Sequence, residues 1–124
     1  MSGAIRLCAS AAVRTGAGLT AALTHPSSLL PLQVGSPEVM TQAITFDELK
    51  EQGNELIKRT RWADVLAFGP GFGEDEWAHQ AYLLLSQQYK PKVVDADGLN
   101  ILAMLNHRND VVVLRDEQLS LIHI

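Results

Sequence analysis

Asp64-Val65-Leu66-Ala67-Phe68-Gly69-Pro70-Gly71-Phe72-Gly73 is the stretch that decides the fold. A short apolar run stops at three glycines and a proline, so Asp64–Phe68 reads as a buried strand and Gly69–Gly73 as a loop. Glu74 to Tyr89 then repeats with helical spacing: Trp77, Ala81 and Leu84 or Leu85 share a face, and Pro91 ends the helix. The pattern continues with a strand at Lys92–Asp95, a helix at Gly98–Leu105 capped by Asp97, and a strand at Val111–Leu114. Upstream, Phe46 to Thr60 is one helix with Phe46, Leu49, Gly53, Leu56 and Ile57 inward. Before it come strands at Met40–Ile44 and Leu19–Thr24, a short helix towards Gln33, and an opening helix. Ile5, Cys8, Ala9, Ala12 and Val13 form the apolar face of that opening helix. The strands are short apolar runs rather than alternating ones, which implies burial on both faces. The expected class is α/β, an alternating parallel sheet with helices on both faces. Such sheets bind ligands at the carboxyl ends of their strands.

The 124 residues are 47% apolar and 19% charged, with a net charge of −4 and one cysteine. That composition fits a globular chain of one domain. The acidic balance argues against a nucleic-acid partner, which calls for a basic patch. Cys8 alone makes no internal disulfide, and cytoplasmic localisation follows as the default. The small-apolar stretch Ala4 to Leu23 is interrupted by Arg6 and Arg14, so neither a membrane span nor a signal peptide is expected.

Two loops fall where ligands bind. Gly69, Gly71 and Gly73 let the backbone approach a ligand, and the following helix start presents free N–H groups to an anion. The same residues also suit a tight strand-to-helix turn. The dinucleotide fingerprint and the Walker loop are both absent. In the second loop, Asp95, Asp97 and Asn100 place two carboxylates and an amide where they can hold a hydroxyl, a metal-bound water or a ribose. The alternative makes Asp97 an N-cap and Asp95 a strand-end hydrogen bonder. His25, His79, His107 and His123 lack metal-ligand spacing and read as surface or core residues. Cys8 reads as packing, and Trp62 and Trp77 as core or rim.

Four stretches together resemble one family, the ADP/ATP-dependent NAD(P)H-hydrate dehydratases of ribokinase-like fold. Ser2-Gly3-Ala4 and Ala11 through Leu19 resemble its small-residue helix and R-x-G-A-G-L turn. Pro37-Glu38-Val39-Met40 resembles its P-E-x-M segment. Ala63-Asp64 through Gly73 resembles A-D-x-x-x-x-G-P-G-L-G, with Phe72 for Leu. Val94-Asp95-Ala96-Asp97-Gly98-Leu99-Asn100 resembles x-D-A-D-A-L-N, with Gly98 for Ala.

The resemblance implies repair of hydrated NADH and NADPH, the S epimer losing water with consumption of ADP or ATP and Mg2+. Phosphorylation turns the ring hydroxyl into a good leaving group, and the ring nitrogen's lone pair assists its departure. By the same resemblance Ala4 and Gly71 contact the hydrated dinucleotide, and Gly69, Gly73, Asp95, Asp97 and Asn100 line the site. A homo-oligomer and a fused NAD(P)H-hydrate epimerase domain are compatible with it. The family's first glycine-rich strand, its T-P-H-P-G-E loop and the later G-T-G-D motif with the catalytic Asp have no match here. The expectation is therefore an incomplete ribokinase-like fold, inactive alone. Residues 1–114 would be the N-terminal portion of a dehydratase domain and 115–124 a divergent tail. The alternatives are a non-catalytic nucleotide-binding α/β module and a ribokinase-like small-molecule kinase.

Overall fold

A computed structural model describes residues 2–107 and 119–121. Helices and strands alternate: α1 (Ser2–Arg14), β1 (Ala21–Thr24), a 3-10 turn (Pro26–Ser28), α2 (Leu29–Gly35), β2 (Met40–Ala43), α3 (Phe46–Lys50) and α4 (Asn54–Trp62). Then follow β3 (Leu66–Phe68), α5 (Glu76–Ser86), β4 (Lys92–Val94), α6 (Asp97–His107) and β5 (Leu119–Leu121). Every strand pairing is parallel, as expected of an α/β chain. The strand expected at Val111–Leu114 lies outside the described residues. β5 instead falls within the stretch read as a tail, and it pairs with β4.

The expected single helix Phe46–Thr60 is two helices. Gln52 and Gly53 both take left-handed φ values, 83° and 63°, and turn the chain between α3 and α4. The apolar face runs on through the break, which is why periodicity alone does not reveal it. The left-handed φ favours glycine here, and a Cβ would in addition push aside the end of the Leu84 side chain, whose Cδ1 lies 2.5 Å from its site. Glu48 completes the join: its Oε1 accepts the Glu55 N–H at 2.8 Å, serving a donor that the start of α4 leaves free.

Among the described residues the strands form two sheets rather than one, ordered β1-β2 and β3-β4-β5. The Met40 N–H donates to Thr20 O and the Ile44 N–H to Thr24 O, so β1 serves β2 through alternate residues. Ala21 and Leu23 between them direct their backbone groups to the opposite edge. In β3, the Leu66 N–H donates to Pro91 O and Phe68 O accepts from Asp95 N–H, which leaves Val65 and Ala67 turned from β4. These open edges of β1 and β3 both line a largely apolar cavity of about 690 Å³, roofed by Ile5, Cys8 and Ala12 of α1. This opening also corrects the expectation of strands buried on both faces. β3 alternates: Leu66 and Phe68 are buried while Ala67 is exposed. Leu19, Trp62 and Val65, all beside the cavity, are exposed as well.

The larger core centres on α5. Trp77, Ala78, Ala81, Tyr82 and Leu85 pack with Phe68, Val94 and Ile101. Trp77 is core rather than rim, its Nε1–H donating to Ile44 O at 2.8 Å. Ala9, Ala22, Leu32 and Val39 form a separate small core.

Candidate functional site

The two loops nominated by sequence meet because β3 and β4 are parallel neighbours, with Phe68 level with Val94. Both loops leave at the carboxyl ends of these strands. Gly69 has φ 119°, and a Cβ on it would fall 1.9 Å from Asp95 O and 2.9 Å from Gly98 N. One loop thus lies directly against the backbone of the other, a contact only glycine permits. Gly98 returns the contact, with a Cβ site 3.1 Å from Gly69 Cα. Within the first loop, the Phe72 N–H donates to Gly69 O at 3.0 Å and closes a turn. The Phe72 ring anchors it, 6.1 Å from that of Phe68 and 5.7 Å, edge-on, from that of Trp77. Gly71, with φ 76°, stands between these fixed points.

The second loop corrects one assignment. Asp97 is the first residue of α6, and its carboxylate does not cap that helix. Ala96, at φ 49°, folds the chain so that backbone carbonyls do so. Asp95 O accepts the Gly98 N–H, and Ala96 O accepts those of Leu99 and Asn100. The Asp97 side chain is thereby released to reach the first loop. Its Oδ2 accepts the Gly73 N–H at 2.9 Å. Its Oδ1 lies 3.5 Å from Asn100 Nδ2. The half-buried Asp95 carboxylate receives no hydrogen bond among the described residues. Its charge, after burial itself, holds the Cys8 thiol above its ordinary pKa.

A cleft of about 270 Å³ opens over the first loop. Gly71, Gly73 and Asp97 line it together with His25, Ser27 and Trp77. Gly69 lines the larger cavity instead. Asp95 and Asn100 line neither, and nor does Ala4, although its neighbour Ile5 lines both. Sequence reasoning passed over His25. Its Nδ1 accepts the Ser27 N–H at 3.1 Å and lies 2.8 Å from Ser27 Oγ, which puts the proton of the neutral ring on Nε2. The ring meets Trp77 edge-on at 5.5 Å. The available signal was position: His25 directly follows β1, at the same end of its strand as the two loops.

Among the described residues no three His, Cys, Asp or Glu side chains stand together as a metal site. No described helix is long and apolar enough to cross a membrane.

A family model described as NAD(P)H-hydrate dehydratase matches residues 1–118. The bifunctional NAD(P)H-hydrate repair enzyme Nnr of Vibrio cholerae is 46% identical over 103 residues, covering 83% of this chain and 20% of that enzyme. The ADP-dependent (S)-NAD(P)H-hydrate dehydratase of Streptococcus thermophilus is 36% identical over 107 residues, covering 84% of this chain and 36% of that one. Among solved structures, a hypothetical protein from Streptococcus mutans superposes with a TM-score of 0.77 at 29% identity, over 96% of this chain and 40% of its own. A ribokinase-like superfamily protein from Enterococcus faecalis gives a TM-score of 0.73 at 26% identity. The chain spans about 20% of the length of the bifunctional relatives it matches.

Proposed function

The chain belongs to the NAD(P)H-hydrate dehydratase family, and we propose that its cleft receives the S epimer of hydrated NADH or NADPH for removal of the added water. The observation that carries this reading is the convergence of both loops, Gly69–Gly73 and Asp95–Asn100, at the carboxyl ends of two paired parallel strands. Gly71 bears no side chain at the middle of the half-buried loop, so a large planar ligand can lie close to backbone there. His25 adds an N–H donor and Trp77 an apolar wall to the same cleft. In this reading Ala4, Asp95 and Asn100, which line neither cavity, take part through their neighbours. Residues 1–114 belong in this reading to a dehydratase domain.

A nucleotide co-substrate, ADP or ATP, would supply the phosphoryl group that makes the ring hydroxyl a better leaving group. The described residues do not fit that nucleotide or Mg2+. No lysine or arginine lines the cleft, and no three carboxylate, imidazole or thiol groups gather in it. Lys92 is committed elsewhere, its ammonium donating to Gln88 O and Lys90 O. The chain's own residues therefore act on the dinucleotide: they bind it, orient its ring and exclude water behind it. Cytoplasmic localisation, a homo-oligomer and a fused epimerase domain belong to the same proposal.

Calorimetric titration with the S epimer of hydrated NADPH tests the reading. Gly71→Val should weaken binding at least tenfold while circular dichroism shows the fold retained. Affinity equal to that of the unmodified chain would return Gly69–Gly73 to an ordinary turn.

A further inference from the structure

Of the polar side chains lining the cleft, Asp97 is the one that bonds from the second loop to the first. We propose that Asp97 is a positioning residue whose carboxylate sets the shape of the glycine loop and, through it, the affinity for the dinucleotide. The second half of this statement rests on the reading of the cleft given above.

Within itself the loop Gly69–Gly73 holds the turn closed by the Phe72 N–H on Gly69 O, with the Phe72 ring packed on Phe68 and Trp77. Gly69, Gly71 and Gly73 all take left-handed φ values, 119°, 76° and 73°. Glycine populates these regions freely but also many others, so outside contacts must select the conformation. Two contacts do this from the turn between β4 and α6. At the near end, Gly69 is pressed against Asp95 O and Gly98 N. At the far end, the Gly73 N–H donates to Asp97 Oδ2 across 24 positions of sequence. Gly71 lies between the two pins.

Asp97 is free for this role because α6 does not use it. The first amides of α6 are served by the carbonyls of Asp95 and Ala96. Asn100, one turn along the helix, approaches the other carboxylate oxygen and orients it. What the loop requires from residue 97 is an acceptor at the right place rather than a negative charge. Asparagine supplies one, since its Oδ1 can take the Gly73 N–H and the Asn100 amide can turn to present its own oxygen.

The test compares the unmodified chain, Asp97→Ala and Asp97→Asn by amide hydrogen exchange at Gly73 and by titration with the S epimer of hydrated NADPH. Asp97→Ala should speed Gly73 exchange and weaken binding about fivefold each, as suits one solvent-exposed hydrogen bond. Asp97→Asn should restore both to within twofold. An Asp97→Ala chain that melts lower yet binds with unchanged affinity would reduce the residue to a structural role and overturn the proposal. So would an Asp97→Asn chain that protects Gly73 but binds as weakly as the alanine variant, since charge would then be what matters. If the unmodified chain binds nothing while Gly73 exchange still follows the acceptor, the reading of the cleft fails and the control of loop shape stands.

Discussion

Gly69→Ala and Gly73→Ala separate two costs that glycine loops usually mix. Both residues have positive φ, 119° and 73°. At Gly73 a Cβ meets nothing within 4 Å, so alanine carries only the left-handed penalty, about 1–2 kcal/mol. At Gly69 the same methyl would stand 1.9 Å from Asp95 O, and the atoms it meets are backbone on both sides. Neither loop can relieve the contact by turning a side chain. The strained φ contributes about 1–3 kcal/mol and the forced separation of the loops about as much again. The expected loss is about 4 kcal/mol for Gly69→Ala against about 1–2 for Gly73→Ala. For a chain of this length 1 kcal/mol is about 4 °C of melting temperature, so the variants should lie about 10 °C apart. Thermal melts followed by tryptophan emission in a Trp62→Phe background report it, because Trp77 packs on Phe72 of the same loop. Two variants melting within about 3 °C of each other would show that the loops do not touch as described.

Tyr82 makes the chain alkali-sensitive. Its fully buried hydroxyl finds no partner among the described residues, and burial pushes its pKa up to about 12. The folded chain therefore keeps a proton that the unfolded chain loses, and stability falls as pH rises from about 10 to about 12, by roughly 3 kcal/mol in all. Tyr82→Phe should abolish that slope in urea melts while leaving neutral-pH stability unchanged or higher; a slope that survives places the sensitivity elsewhere. Asp75 caps α5, its Oδ1 accepting the Ala78 N–H at 3.0 Å. Asp75→Ala should cost about 1 kcal/mol and Asp75→Ser recover most of it, as melting temperatures would show; equal losses in both would deny the cap.

The parts of the fold legible in the sequence were those written in one local pattern. β3, its glycine loop and α5 follow each other as apolar run, glycines and helical period, and all three are present. What stayed hidden depended on distant atoms. The turn at Gln52-Gly53 was signalled only by the glycine, which the apolar face running from Phe46 to Ile57 outweighed. Asp97 reads as a cap from its position, but the left-handed Ala96 lets carbonyls serve the helix instead. The division into two sheets is invisible to periodicity, which reports faces and not neighbours. For the candidate site, sequence supplied Gly71, Gly73 and Asp97. It missed His25, whose place in the cleft depends on where β1 ends relative to β3.

The space between β1 and β3 bears on how cooperatively the chain is held. The open space of about 690 Å³ separates two cores that are each too small to be indifferent to the other. Few links cross it: Leu23 packs on the larger core from β1, and the Trp77 indole holds the backbone at Ile44, just past β2. The His25 ring on Trp77 and the Gln42 side chain bonded to Arg59 and Glu55 add to them, so the first half's order depends on the second's. Losing them would let α1, β1, α2 and β2 melt as a unit of their own while the core around α5 endures.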